Sequence, residues 1–286
     1  MKKLKLTKQS PGMHWVGDGF PVRSIFSYDS LGKELDPFLL LDYAAPWEFA
    51  PGNTPRGVGV HPHKGFETVT LALQGEVAHG DSHGGGGIIG PGDVQWMTAA
   101  NGLLHKEFHS EAFTKSGGVF QMAQLWVNLP AKDKGAEPRY QAIAKANIPV
   151  VELPDGSGSV RVVAGDFKGT KGAAMTFTPI NLWDVTLQAG TSVNLPALDG
   201  HTTALVVMEG SVRVADQATG VGGLVLFERE GEGIEVTAES DTRLLYLGGE
   251  PIDEPIVGQG PFVMNTQQEI LDAFRQFQDG AMGTLE

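Results

Sequence analysis

Residues 61–73 read HPHKGFETVTLAL, and residues 105–107 read HKE. In a β-strand, residues two apart lie on the same face. His61 and His63 therefore share one face of a predicted strand, and the apolar Val69 has the same parity. The second stretch repeats this spacing with one histidine and one glutamate. We predict that both strands direct these side chains into a β core rather than into solvent.

Imidazole groups are concentrated in this region, because six of the eight histidines lie between positions 61 and 109. Imidazole is the commonest metal ligand in proteins. His61, His63 and His105, with one carboxylate, would suit a borderline divalent metal and leave coordination positions for water, dioxygen or a chelating substrate. The spacing therefore predicts a metal site fit for redox or Lewis-acid chemistry.

The carboxylate of this site is left open between two glutamates. Glu67 and Glu107 both stand at odd positions, so strand parity does not separate them, although a bulge at Gly65 could turn Glu67 away. Three further histidines of the region are expected to lie in loops or on the surface rather than to bind metal: His79, His83 and His109.

Two simpler explanations compete with a reactive metal site. A closed tetrahedral zinc site would stabilise the fold and activate nothing. Alternatively, the imidazoles could be hydrogen-bonded core residues, but two such triplets on inward faces are difficult to bury without a cation. The chain has no cysteine, so nitrogen and oxygen must supply every ligand. Because of that burial cost, we favour a metal site over hydrogen-bonded core histidines.

Composition limits the class of protein. The 286 residues include 39 glycines and 17 prolines among short apolar runs, which is typical of an all-β protein with many turns. Runs such as Ala204–Met208 are too short to cross a membrane. The basic start is followed by Gln9, Ser10 and Pro11 instead of the apolar core of a signal peptide, so we expect a cytoplasmic protein. The net charge of −13 disfavours direct binding to nucleic acid.

An internal repeat divides the chain. Residues 71–77 (LALQGEV) match residues 206–212 (VVMEGSV) when Gly75 is aligned with Gly210. In that alignment Pro196 and Leu198 replace His61 and His63, so we predict one metal site, in the N-terminal half. The predicted boundaries are residues 1–136 for the metal-binding domain, 137–150 for a linker and 151–286 for a degenerate second domain.

Two segments outside the repeat have recognisable patterns. Residues 80–92 are rich in glycine, and they are predicted to form a flexible turn that cannot be a helix or a central strand. Thr266-Gln267-Gln268-Glu269 matches a capping box, and Ile270 and Phe274 follow at helical spacing. A short C-terminal helix packed on a barrel is therefore expected.

Four stretches together resemble the pirin family of the cupin superfamily. They are residues 36–42 (DPFLLLD), 61–70 (HPHKGFETVT), 91–99 (PGDVQWMTA) and 260–266 (GPFVMNT). The resemblance implies two tandem cupin barrels, that is, double-stranded β-helix or jelly-roll folds. It also implies a metal in the N-terminal barrel, Fe2+ first and Mn, Co, Ni, Cu or Zn as alternatives. The ligands it implies are His61, His63, His105 and Glu107, with Glu67 as a residue that orients an imidazole.

The resemblance also implies two alternative functions. Some family members look like flavonol (quercetin) 2,3-dioxygenases, in which the metal would chelate the 3-hydroxyl and 4-carbonyl oxygens of the substrate. Glu107 or Glu67 would then act as the base. Other members look like non-enzymatic regulators that bind a protein partner according to the redox state of the metal. The expected partners are thus a small aromatic substrate such as a flavonol, or a protein, and the chain is expected to be a monomer.

Overall fold

A computed structural model describes residues 1–286, and strands account for most of the regular structure. The strands are β1 Leu4–Gln9, β2 His14–Val16, β3 Phe20–Ser27, β4 Phe38–Phe49, β5 Gly57–His63, β6 Phe66–Gln74, β7 Val77–Asp81, β8 Gly86–Ile89, β9 Val94–Thr98, β10 Leu103–His109, β11 Gly118–Asn128, β12 Arg139–Ile143, β13 Val150–Glu152, β14 Gly158–Ala164, β15 Asp166–Phe167, β16 Thr170–Lys171, β17 Ile180–Leu187, β18 Ser192–Leu195, β19 Thr202–Glu209, β20 Ser211–Val214, β21 Gln217–Gly220, β22 Gly223–Phe227, β23 Ile234–Ala238, β24 Thr242–Gly249, β25 Val257–Gln259 and β26 Phe262–Met264. The helices are α1 Tyr28–Leu35, α2 Glu111–Ser116 and α3 Gln267–Gln278.

The first barrel comprises residues 12–33, 38–145 and 252–286. Its larger sheet has the strand order β12-β9-β6-β11-β4-β3-β2, and its smaller sheet has the order β5-β10-β7-β8. Side chains from both sheets meet in one apolar core, which includes Phe20, Ala72, Val77 and Phe120. The two sheets thus form a sandwich whose inner faces bury apolar surface.

The second barrel comprises residues 1–11, 34–37 and 146–251. Its sheets have the orders β1-β22-β19-β24-β17-β14-β13 and β18-β23-β20-β21. Position by position, these orders repeat those of the first barrel, with β17–β24 standing where β4–β11 stand. The prediction of an all-β protein built from one unit used twice is confirmed, and both units have the cupin architecture.

The predicted domain boundaries need correction at three places. Strand β1 pairs with β22 of the second barrel, although it begins the chain. Residues 139–143, assigned to a linker, form β12 and pair with β9 of the first barrel. The C-terminal segment from Ile252 onward belongs to the first barrel rather than to the second. Strands β1 and β12 each cover the hydrogen-bonding edge of a sheet, and local sequence patterns do not specify which sheet a strand will join.

The two patterned segments are ordered parts of the first barrel. The glycine-rich stretch contains the end of β7 and the strand β8, which lies at the edge of the smaller sheet rather than in a flexible turn. Helix α3 begins at the predicted capping box, where Thr266 Oγ1 accepts from Glu269 N (3.2 Å) and Glu269 Oε2 accepts from Thr266 N (2.8 Å). No helix of the protein has the length and apolar character needed to cross a membrane.

Candidate metal centre

The pairing of β5 with β10 brings the two histidine stretches side by side. His105 lies opposite His61, and Leu103 lies opposite His63, in this antiparallel register. Directly opposed residues of antiparallel strands have neighbouring side chains on one face. One ligating nitrogen from each of His61, His63 and His105 therefore lies within 4.8 Å of the other two.

The closest approach in this group is between His61 and His63, whose Nε2 atoms are 3.0 Å apart. His61 Nδ1 donates to the Gly59 carbonyl oxygen at 2.8 Å, which places the ring proton on Nδ1 and leaves the Nε2 lone pair free. Two nitrogens bound to one metal at about 2.1 Å and at a right angle would be separated by roughly 3 Å. The two imidazoles thus already have the spacing of neighbouring ligands.

A second group shares His105 with the first. Glu107 pairs with His79 across β10 and β7, and His79, His105 and Glu107 bring one ligand atom each within 4.8 Å of one another. His79 Nδ1 lies 3.4 Å from His105 Nε2 and 3.8 Å from Glu107 Oε2. The structure therefore brings all four predicted ligands into one continuous cluster, joined through His105, and adds His79 to it.

Burial sets the protonation states of the cluster. It lowers the pKa of His61, places those of His63 and His105 well below the usual value, and lowers that of His79 to about 3. The imidazoles are consequently neutral at physiological pH, the form that binds metals. Burial also raises the pKa of Glu107 to about 7, so its proton is easily displaced by a cation.

The donor set fits a divalent metal. Glu107 Oε2, His79 Nε2 and His105 Nδ1 are buried and have no hydrogen-bond partner. Unpaired buried polar atoms are costly and usually indicate a missing ion or water. Three neutral imidazoles and a carboxylate supply the nitrogen and oxygen ligands that iron, manganese, cobalt, nickel, copper and zinc accept.

Glu67 lies outside the cluster, which differs from its expected role beside an imidazole. Its Oε1 accepts a hydrogen bond from Thr98 Oγ1 at 2.6 Å, and the two residues oppose each other in β6 and β9. The preceding residue, Phe66, has its ring 5.3 Å from that of His63. Successive strand residues point to opposite faces, so Glu67 points away from the imidazoles. It can neither orient them nor accept a proton from a molecule bound there.

The remaining histidines divide between core and surface. His109, expected in a loop or on the surface, is buried among phenylalanine rings, with Nε2 donating to Gly19 O at 2.9 Å, as a core histidine does. His83 is exposed in a turn, as predicted. His79, also expected in a loop or on the surface, is instead buried in β7, where it alternates with Val77 and Asp81 on the inner face.

Aromatic rings form one wall of the cluster. Phe66 and Trp126 stack with ring centroids 4.3 Å apart, and Trp126 lies 5.5 Å from the His63 ring. The turn at Gly65, which precedes Phe66, is fixed by the buried Lys134, whose Nζ donates to the Gly65 and Val263 carbonyl oxygens at 2.7 and 2.9 Å. Phe66 is fully buried and Trp126 is partly exposed, so Trp126 is the ring of this pair that a planar aromatic molecule could contact.

Comparisons with known proteins agree with this architecture. The family model described as Pirin matches residues 19–127, and the one described as Pirin C-terminal cupin domain matches residues 182–283. A Pseudomonas aeruginosa protein named "Putative quercetin 2,3-dioxygenase" is 52% identical over 98% of each chain. A "Pirin-like protein" of Solanum lycopersicum is 41% identical and covers 93% of this chain and 88% of its own. The crystal structure of quercetin 2,3-dioxygenase from Acinetobacter baumannii superposes with a TM-score of 0.97, at 52% identity, over 100% of both chains.

Proposed function

The chain belongs to the pirin family, and from this membership and the geometry of the cluster we propose that it is a mononuclear metal-dependent dioxygenase acting on flavonols such as quercetin. The observation that carries the proposal is the pair of Nε2 atoms 3.0 Å apart on His61 and His63, in contact with His105 and beside an aromatic wall. A closed structural site would not need such a wall.

His61, His63, His105 and Glu107 would hold the metal, which we propose to be Fe2+. When bound, the metal supplies the centre at which the 3-hydroxyl and 4-carbonyl oxygens of a flavonol are chelated and dioxygen chemistry becomes accessible. The neutral imidazoles contribute no charge, so Glu107 is the only anion among these four residues. A doubly charged ion would therefore retain net positive charge, which favours an anionic phenolate substrate.

Glu107 is the proposed base for the substrate hydroxyl. It can take up that proton only after its carboxylate has left the metal, because a bound cation holds the carboxylate in its ionised form. His79 Nδ1 lies 3.8 Å from Glu107 Oε2, beyond hydrogen-bond distance, and a small shift of the carboxylate would bring the two atoms into contact. Glu67 is not proposed for this role, because it occupies the other face of β6.

Trp126 is the proposed contact for the flavonol rings. It is partly exposed, stacks on the buried Phe66 and lies against His63, so a planar molecule with its oxygens directed at the imidazoles would have an aromatic neighbour. Binding by ring surface and chelation together would select flat aromatic compounds with adjacent oxygens.

The test is reconstitution. The purified chain is stripped of metal, reloaded separately with Fe, Mn, Co, Ni or Cu, and followed for loss of flavonol absorbance under oxygen. We expect turnover with at least one metal, its loss in His105→Ala, and its retention in His83→Ala, an exposed histidine of the same barrel. If no metal supports turnover, the enzymatic proposal is wrong. Metal binding without turnover would instead support the regulator alternative.

A further inference from the structure

The second barrel contains a cavity of about 420 Å³ at the position that the repeat assigns to a counterpart of the metal centre. Pro196 and Leu198, which replace His61 and His63 in the repeat, both line it. Neither side chain can bind a metal, yet the space has not been filled by larger residues. Its volume falls within the range of small-molecule sites, roughly 300–1,000 Å³.

The floor of the cavity is rigid and aromatic. Trp183 is buried and stacks on Tyr246 with centroids 4.0 Å apart, and Phe167 meets it edge-on at 5.0 Å. The Tyr246 hydroxyl in turn donates to the Pro196 carbonyl oxygen at 2.9 Å, which connects the floor to the rim. Of these rings Trp183 lines the cavity, and its contacts with the other two hold it in place before a ligand arrives.

One polar atom of this floor residue lacks a partner. Trp183 Nε1 is buried and forms no hydrogen bond. Because indole N–H is a donor only and buried donors are nearly always paired, an acceptor from a bound molecule or from water is expected there. Because Trp183 also lines the cavity, a ligand oxygen held there is the acceptor that we assign to this N–H.

The mouth of the cavity is cationic, although the chain carries a net charge of −13. Lys171 forms an ion pair with Asp166 at 3.2 Å, whereas Lys168 is exposed and lies 5.3 Å from the Phe167 ring without a carboxylate partner. One positive charge at the rim is thus left over. Leu198, 55% exposed, adds apolar surface at the same opening.

We propose that this cavity is a second, metal-free binding site for a small aromatic carboxylate. The ring would lie against Trp183 and Leu198, one oxygen would accept from Trp183 Nε1–H, and the negative charge would face Lys168. The site would be independent of the metal centre, since every lining residue belongs to the second barrel.

The probe for this site is 2-naphthoate, titrated calorimetrically into the full chain, with the uncharged 2-naphthamide as its control. We expect about one naphthoate bound per chain with Kd below about 1 mM, and naphthamide at least about tenfold weaker. Leu198→Asp should weaken naphthoate about tenfold or more, while Leu271→Asp, at a 46% exposed leucine of α3, should leave it unchanged. Trp183→Phe, which keeps a ring and removes the N–H, should weaken it as well.

The metal centre provides the decisive control. His105→Ala should bind naphthoate as tightly as the parent. Loss of binding in His105→Ala would show that the probe occupies the metal centre and would overturn the proposal. Equal affinity for naphthoate and naphthamide, no binding by the parent, or full affinity in Leu198→Asp would overturn it also.

Discussion

Gly65 decides the difference between the two candidate glutamates. It has φ +90°, and a Cβ there would lie 2.0 Å from the Val263 carbonyl oxygen, so this position requires glycine. Strand β5 ends at His63 and β6 begins at Phe66. The interruption moves the even residues of β6 to the imidazole side and sends Glu67 to the other side. Counting odd and even positions from His61 through Gly65 puts Glu67 and Glu107 on the same face. The interruption at Gly65 changes the face on which Glu67 lies, and this is what separates the two glutamates.

Glu67 is expected to make stability depend on pH. Burial raises its pKa from 4.5 to about 7 in the folded protein, against the hydrogen bond from Thr98, which lowers it. Between those values the folded carboxyl keeps a proton that the unfolded chain loses, so stability falls as pH rises. Glu67→Gln, which stays neutral, should gain about 2 kcal/mol over the parent between pH 5 and pH 8, measured by denaturant unfolding. Glu111→Gln, at an exposed site, should show no such gain, and parallel curves for Glu67→Gln and the parent would refute the assignment.

His79 is expected to support metal binding without being a ligand. His79→Leu keeps a side chain of similar bulk in the buried site but removes the neighbour of Glu107, so metal affinity should fall about 10- to 100-fold. The measurement is competition with a chromophoric chelator, with the exposed His83→Leu as control. Unchanged affinity would show that His79 has no role. A loss as complete as that of His105→Ala would show that His79 is itself a ligand.

Among the helices and strands, features that depend on neighbouring residues could be predicted from the sequence, whereas strand pairings between distant residues could not. The His-x-His spacing and the capping box of α3 required only neighbouring residues, and the alternation of β6 and β10 was visible in the sequence. Strands β1 and β12 depend on partners in sheets that the sequence does not mark. Strand β8 was missed because its glycines disfavour a central strand, and they are tolerated at the edge that it occupies.

Three neighbouring strands of the second barrel are joined by one buried carboxylate. Asp184 on β17 accepts from Arg161 on β14 at 2.7 Å, and from Arg243 on β24 through two bonds of 2.7 and 2.8 Å. Burial alone would raise the pKa of Asp184, but the two guanidinium groups outweigh it and lower the pKa. The carboxylate is therefore ionised and fully paired.

Asp184→Ala is expected to cost about 3–5 kcal/mol of unfolding free energy, because it leaves the two guanidinium groups without their buried counter-charge. Lys5→Ala, which removes a solvent-exposed ion pair with Glu228 in the same barrel, should cost less than about 1 kcal/mol. Both are measured by denaturant unfolding of the second barrel, followed through Trp183. Equal losses in the two variants would contradict the structural role given to Asp184.

For the whole molecule, the repeat explains both the architecture and the asymmetry of function. The strand orders of the two barrels coincide, including the edge positions taken by β12 and β1. Only the first barrel has a cluster of imidazoles, and the one histidine of the second barrel, His201, lines its cavity. The second replaces two of them with Pro196 and Leu198 and retains an open cavity instead.

The assignment of residues 1–11 to the second barrel can be tested by deleting them. Removing residues 1–11 takes the partner strand from β22, so amide hydrogen exchange should accelerate in β22 and β19. Protection of β6 and β11 and the binding of metal should persist, because these belong to the first barrel. Loss of protection in β6 and β11, with β22 unaffected, would instead support the contiguous division at residue 136.

The most direct test of the account is the metal content of the purified, reloaded chain, measured by elemental mass spectrometry alongside His61→Ala, His105→Ala and His83→Ala. We expect about one metal ion per chain in the parent and in His83→Ala, and less than about a tenth of that in the two ligand variants after dialysis. Two ions per chain, or undiminished metal in His61→Ala and His105→Ala, would contradict it.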